Sequence, residues 1–241
     1  MTRKILLGLL ILKASFCLSQ DKLPDKIVVL TFDDASRSHY TFVAPLLKKY
    51  GFGATFYICE YPPDFGDTTL YMSWYDIKQL SDMGFEIGNH TWHHARVDRL
   101  TNDSLKSELL FIEHRCDSFK IPRPTSMAYP NYVADGSKIP VLNRLGYGTA
   151  RMAGFRAYHP VDDGPLYIPS FVLDTHNEQE IIDAFAKAKN GYVVVLTVHG
   201  VPDLAHDALS TTPAVFERCM KYLYDNHYTV VSMRKLTGYT K

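Results

Sequence analysis

Three places in this chain set titratable side chains directly after apolar runs: Asp33-Asp34, His90 with His94, and His199. Asp33 and Asp34 follow Ile27-Val-Val-Leu-Thr-Phe32. Neighbours in an extended chain point to opposite sides, so the two carboxylates are free to do different jobs, one holding a metal ion and the other taking a proton. His90 and His94 are four apart. On a helical turn they share one side and can grip a single cation, while His93 points to solvent or to a supporting role. Two imidazoles and a carboxylate make a three-ligand set. Such a set leaves positions open for water and substrate, as a catalytic metal requires and a structural one does not.

These side chains need elements that bring them together. Ile27–Phe32 and Tyr192–Val198 read as strands buried on both faces, the kind found in parallel sheets covered by helices. Further strands are expected at 54–58, 85–89, 126–129, 148–150, 167–173 and 228–231. Helices are expected over 40–50, closed by Gly51, and over 73–83, opened by a capping box of Ser73 and Asp76. Others are expected over 102–119, 137–145, 177–189 and 213–226. Strand and helix alternate about seven times, which predicts parallel strands joined by right-handed crossovers. No glycine-rich phosphate loop follows the first strand, so a closed or nearly closed (β/α) barrel is favoured over a dinucleotide-binding sheet. In a barrel the carboxyl ends of all strands meet on one face, which would gather Asp33, Asp34, His90, His94 and His199.

The 241 residues are 46% hydrophobic and 22% charged, enough for one large core and one domain from about residue 21 to 241. Residues 1–19 read as a secretory signal peptide: Arg3 and Lys4, then an apolar stretch from Ile5 to Leu12 too short to span a bilayer, then small and polar residues. A secreted or periplasmic protein is implied. Lipidation of Cys17 ranks second, since Phe16 is larger than the residue such sites want. Without that segment 23 basic residues face 26 acidic ones, which excludes an electrostatic footprint for nucleic acid. Cys59, Cys116 and Cys219 fit no zinc-thiolate spacing. They allow one disulfide at most, and three small buried thiols are the favoured reading.

The combination Thr31-Phe-Asp-Asp34, His90-Thr-x-x-His94 and Leu196-Thr-Val-His199 resembles the polysaccharide deacetylases of the NodB-homology type, carbohydrate esterase family 4. Ala54-Thr-Phe56, Gly84-Phe-Glu-Ile-Gly88 and Met127-Ala-Tyr-Pro130 extend the likeness in order over nearly the whole chain after residue 20. The resemblance implies a distorted (β/α)7 barrel and a metal-dependent hydrolase that removes N- or O-linked acetyl groups from an acetylated polysaccharide or oligosaccharide. It implies Asp34, His90 and His94 as ligands of a divalent metal, Zn2+ first and Co2+ or Ni2+ as alternatives. Asp33 would be the general base, His199 the general acid, and Asn131 the residue whose backbone N–H meets the oxyanion.

The third family motif here reads Ala128-Tyr-Pro-Asn-Tyr132, without the arginine that usually orients the base. A second familiar arginine position is also different, because Ser170 follows Pro169. Arg151 and Arg156 are the candidates to take over. Asp174 is the nearest match to the family's fourth motif. Tyr61, Phe65, Tyr71, Trp92, Tyr129, Tyr132, Phe155 and Tyr158 lie near the expected strand ends, where rings stack on sugars or pack loops. Two other readings stand beside the deacetylase: a hydrolase of non-sugar amides on the same barrel, and an impaired glycan-binding protein, the latter prompted by the missing arginine.

Overall fold

The computed structural model describes residues 23–61 and 63–239. The expected signal peptide and Cys17 lie outside them. The elements are β1 (Ile27–Phe32), α1 (Ala44–Tyr50, entered through a short π turn at His39–Val43), β2 (Thr55–Ile58), α2 (Trp74–Asp82), β3 (Glu86–Asn89), α3 (Asn102–Ser118), β4 (Ser126–Ala128), α4 (Ile139–Arg144), β5 (Thr149–Arg151), β6 (Phe171–Leu173), α5 (Glu178–Phe185), β7 (Val194–Val198), α6 (Pro213–Asp225), β8 (Thr229–Val231) and α7 (Met233–Leu236). All strand pairings are parallel, in the order β5-β4-β3-β2-β1-β7-β6. β8 pairs with the first half of β1 and β2 with its last two residues. Gly53 lets β8 pass that closely, since a Cβ there would meet the Ser232 nitrogen at 3.0 Å.

The sheet curls until its edges touch. Arg151 at the end of β5 bridges Ile168, just before β6, and the Met152 and Ile168 amides donate to Ile168 and Ala150 carbonyls at 2.8 and 2.9 Å. The fold is the distorted (β/α)7 barrel that the resemblance implies, a curled parallel sheet covered by helices. The strand expected over 167–173 is shorter, however. Pro169 has no N–H to donate, and the ladder resumes only at Phe171. The helix expected to Lys189 stops at Phe185, and α7 has too few residues to show a helical period.

Strand parity decides what faces where. Val28, Leu30 and Phe32 pack outward under the helices with Phe56, Leu47 and Phe216. Ile27 and Val29 pack inside the barrel with Ile168, Val195 and Met233. The same inward parity carries Thr31 on β1 and Asp33 just after it, Tyr57 on β2, Glu86 and Gly88 on β3, Ser126 on β4 and Arg151 on β5. The barrel interior is therefore apolar at the bottom and polar above. Its polar groups bond one another: Glu86 accepts from Thr55 at 3.0 Å and Ser126 at 2.6 Å, and Ser170 pairs with Thr197 at 2.8 Å. At the helix layer the capping box at Ser73 and Asp76 is formed as its sequence predicts.

Tyr57 lies across Gly88, where a Cβ would sit 2.4 Å from the ring. Gly88→Ala is expected to displace that ring and lower stability by about 1–3 kcal/mol, read from urea unfolding.

Candidate active site

The mouth of the barrel is built on strained backbone. Asp34 and Ala35 after β1, Thr91 and His94 after β3, and Asn131 and Tyr132 after β4 all have positive φ, between 53° and 68°. Such conformations persist only where surroundings over-determine them. Around β3 they do. Asn89 Oδ1 accepts the Thr91 amide at 2.9 Å, Thr91 Oγ1 accepts the Ala95 amide at 2.9 Å, and the Glu60 amide donates to the Trp92 carbonyl at 2.7 Å. His90 and His94 thus converge through a bonded loop, and the helical turn expected for them is not formed. Glu60 also accepts from Trp92 Nε1 at 3.0 Å, Trp74 Nε1 at 2.8 Å and Arg115 at 3.0 Å, tying that loop to α2 and α3.

The sequence-selected residues meet in one small cleft of about 90 Å³. Asp33, Asp34, His90, His94, Asn131 and His199 all line it, with Tyr61, Tyr129, Tyr132, His206 and Leu209. Asp34, His90 and His94 each present one ligand atom, all within 4.8 Å of one another. His90 Nε2 is 3.4 Å and His94 Nε2 3.5 Å from Asp34 Oδ1. His90 Nδ1 lies 2.9 Å from the Ala128 carbonyl, which only accepts, so Nδ1 carries a proton and Nε2 is the nitrogen whose lone pair faces Asp34 once the ring is neutral. A lone pair and a carboxylate oxygen facing each other repel unless a positive charge lies between them. The donor set therefore suits a divalent cation.

The electrostatics agree. Burial raises the Asp34 carboxyl, but the hydrogen bond to His90 and the charges of His90, His94 and His199 hold it far below the usual carboxylate range. Burial pulls His90 down, yet Asp33 and Asp34 more than offset it and favour positive charge there. Burial, with His90 beside it, pushes His94 down to about 4, which keeps its lone pair available near neutral pH.

Asp33 is paired. Arg151 Nη2 donates to Asp33 Oδ2 at 2.5 Å, with both side chains buried. The guanidinium sits between the rings of Tyr57 and Tyr132, at 5.6 and 5.5 Å, and burial, which works against its charge, is outweighed mainly by Asp33. Asp33 Oδ1 is buried with no protein partner. Of the two candidates for the missing arginine, Arg151 takes the place, while Arg156 pairs with Asp163 on an exposed loop. Asp174 does not reach His199. It turns the chain into α5 by accepting the His176 amide at 2.6 Å.

His199 Nε2 is 3.9 Å from Asp34 Oδ2, and its Nδ1 is buried without a partner. Its carbonyl accepts from Nε2 of His39, a fully buried imidazole that burial pushes down to about 4. His39 escaped the sequence reading because nothing in its local pattern separates it from an ordinary helix-entry residue. His93 pairs with Glu108 at 2.8 Å, a supporting role. Of the aromatics, Tyr61, Tyr129 and Tyr132 face the cleft, Trp92 stacks on Phe111 at 3.7 Å, and Phe155 stands exposed. Tyr158 belongs to the core, and the three cysteines are free and buried.

A family model for polysaccharide deacetylase matches residues 20–150, more than half of the chain. The chain belongs to the polysaccharide deacetylase family. A putative polysaccharide deacetylase, YxkH, of Bacillus subtilis is 28% identical over 163 residues, 64% of this chain and 57% of that protein. A chitin deacetylase of Pestalotiopsis sp is 26% identical over 187 residues, 76% of this chain and 54% of that protein. The chain spans about half the length of the curated relatives it matches. Among solved structures, the chitin deacetylase from Colletotrichum lindemuthianum superposes with TM-score 0.65 at 16% identity, covering 89% of this chain and 88% of that one. A CE4 family pseudoenzyme from Bacillus anthracis gives 0.63 at 16% identity, covering 89% and 66%. At that identity the likeness is one of fold.

Two measurements probe the site without substrate. Arg151→Met leaves Asp33 buried and unpaired and is expected to lower stability by about 3 kcal/mol, with part recovered in Asp33→Asn/Arg151→Met because the orphan charge is gone. His39 binds no proton in the folded chain until about pH 4, whereas the unfolded chain protonates near 6.5. Acidification across that window therefore favours unfolding, by on the order of 3 kcal/mol when complete. The difference in urea midpoint between wild type and His39→Gln is expected to shrink as the pH falls from 6.5 to 4. A constant difference contradicts the assignment.

Proposed function

We propose that the chain is a metal-dependent carbohydrate deacetylase that hydrolyses acetyl groups, amide- or ester-linked, on an exported polysaccharide. One observation carries the reading: Asp33 lines the cleft beside Asp34, His90 and His94, with one oxygen held by Arg151 and the other buried without a protein partner. Family membership supports it, as do relatives named for deacetylating chitin and peptidoglycan. The impaired-binder reading loses its motive, since Arg151 stands where the base needs a partner. Nothing in the cleft favours a non-sugar amide.

Asp34, His90 and His94 would hold the cation, with Zn2+ favoured by two imidazoles and one carboxylate. When bound, a divalent cation supplies Lewis acidity toward water and the acetyl carbonyl. The chain's own residues do the rest. Asp33 Oδ1 takes the proton of the attacking water as its oxygen bonds to the acyl carbon. Arg151 holds Asp33 through Oδ2 throughout, so the base does not turn away. The Asn131 backbone N–H is the donor offered to the developing oxyanion. His199 gives its proton to the leaving amine or alcohol as the acyl bond breaks, and acetate and a deacetylated sugar result. The leader read in residues 1–19 points to work outside the cytoplasm. Among the described residues no helix is long and apolar enough to cross a membrane.

Purified protein loaded with Zn2+ or Co2+ is expected to release acetate from acetylated oligosaccharides. Asp33→Asn is expected to keep cation binding while losing at least about a hundredfold in rate, and His90→Ala is expected to lose the cation itself. A metal-loaded wild type that releases no acetate from any N- or O-acetylated sugar would overturn the reading.

A further inference from the structure

The segment after His199 returns to the cleft. Its backbone is organised around Asp203, which is 2% exposed. Asp203 Oδ1 accepts the amides of Ala205 and His206 at 2.9 Å each, and Oδ2 accepts that of Gly200 at 3.2 Å. The Asp203 amide in turn donates to Ser210 Oγ at 2.9 Å. Gly200 makes the turn possible, because a Cβ there would sit 2.3 Å from the Asp203 Cα. A buried carboxylate bonded to three backbone amides fixes the loop's shape, and with it the place of His206.

His206 is set against the catalytic wall. Its ring lies 4.7 Å from that of Tyr61 and 6.4 Å from that of Tyr71, and Tyr61 lies 4.9 Å from His94. His206 lines the same cleft as Asp33 and His199. Its Nδ1 is buried without a hydrogen bond, 3.6 Å from Asp203 Oδ1. Since the side chain is 24% exposed, what it shows is its other edge. An imidazole edge framed by tyrosine rings offers what a sugar asks for: an apolar face for C–H groups and a polar atom for a neighbouring hydroxyl.

Resting on the function proposed above, we infer that His206 is a substrate-contacting residue, hydrogen-bonding the sugar that carries the scissile acetyl group while Tyr61 supports its ring. His206 takes no part in proton transfer in this scheme, which leaves the leaving group to His199. Its loss therefore weakens binding and spares turnover.

The test uses the full chain and two probes, an N-acetylglucosamine tetramer and an O-acetylated xylose tetramer. Dissociation constants are measured by calorimetry, and KM and kcat by acetate release, for wild type, His206→Ala and His206→Gln. For the probe that wild type binds, His206→Ala is expected to raise the dissociation constant and KM about fivefold, as loss of one hydrogen bond does, with kcat within about twofold. His206→Gln, which keeps a polar edge, is expected to recover part of that loss. Unchanged binding in His206→Ala overturns the inference, as does a wild type that binds neither probe. A wild type that binds without releasing acetate overturns the proposed activity alone, since the binding comparison still reads His206.

Discussion

Two carboxylates on consecutive residues, both buried, are the constraint around which this barrel is built. Neither charge can stay inside protein without a partner close by. The chain answers each differently. Asp33 points along the inward parity of β1 and meets Arg151 across the barrel. Asp34, thrown sideways by a left-handed backbone, meets His90 and His94. One carboxylate is paired with an arginine of the chain, and the other faces two imidazoles in a set that draws positive charge. The division of labour proposed for the pair, one as base and one as ligand, follows from how each charge is made tolerable.

The polar upper half of the barrel follows from the same need. Glu86, Ser126, Thr55, Ser170 and Thr197 bond one another where a barrel of this size could have been filled with aliphatic side chains. Tyr57 and Tyr132 then give Arg151 two ring faces in place of water. The strained residues at the strand ends form the mouth. Around β3 the positive φ values are held by side-chain bonds of Asn89 and Thr91, so the chain itself places His90 and His94.

Much of this was legible in the residues. β1 and β7 announce themselves because strands buried on both faces are apolar throughout, and the motif histidines stand where those runs end. The capping box at Ser73 is a local rule locally obeyed. What escaped is what depends on distant partners. His90 and His94 were expected on a helical turn because their spacing is helical, but Asn89, Thr91 and Glu60 impose another geometry. Arg151 and Arg156 stood level as candidates for the missing arginine. The choice between them is made by strand parity and by curling of the sheet, neither of which shows in a window of sequence. His206 sat in a segment with no periodicity at all. Only Asp203, three residues before it, hints that the loop has a fixed shape.

Arg151 belongs to two structures at once. Its main chain forms the seam where the curled sheet meets itself, and its side chain holds Asp33. In mechanical terms the closure of the barrel and the hold on Asp33, the proposed base, are one joint. Any motion that opens the seam between β5 and the segment before β6 withdraws the guanidinium from the carboxylate. Residues 165–170, on the far side of that seam, thereby bear on how Asp33 is held.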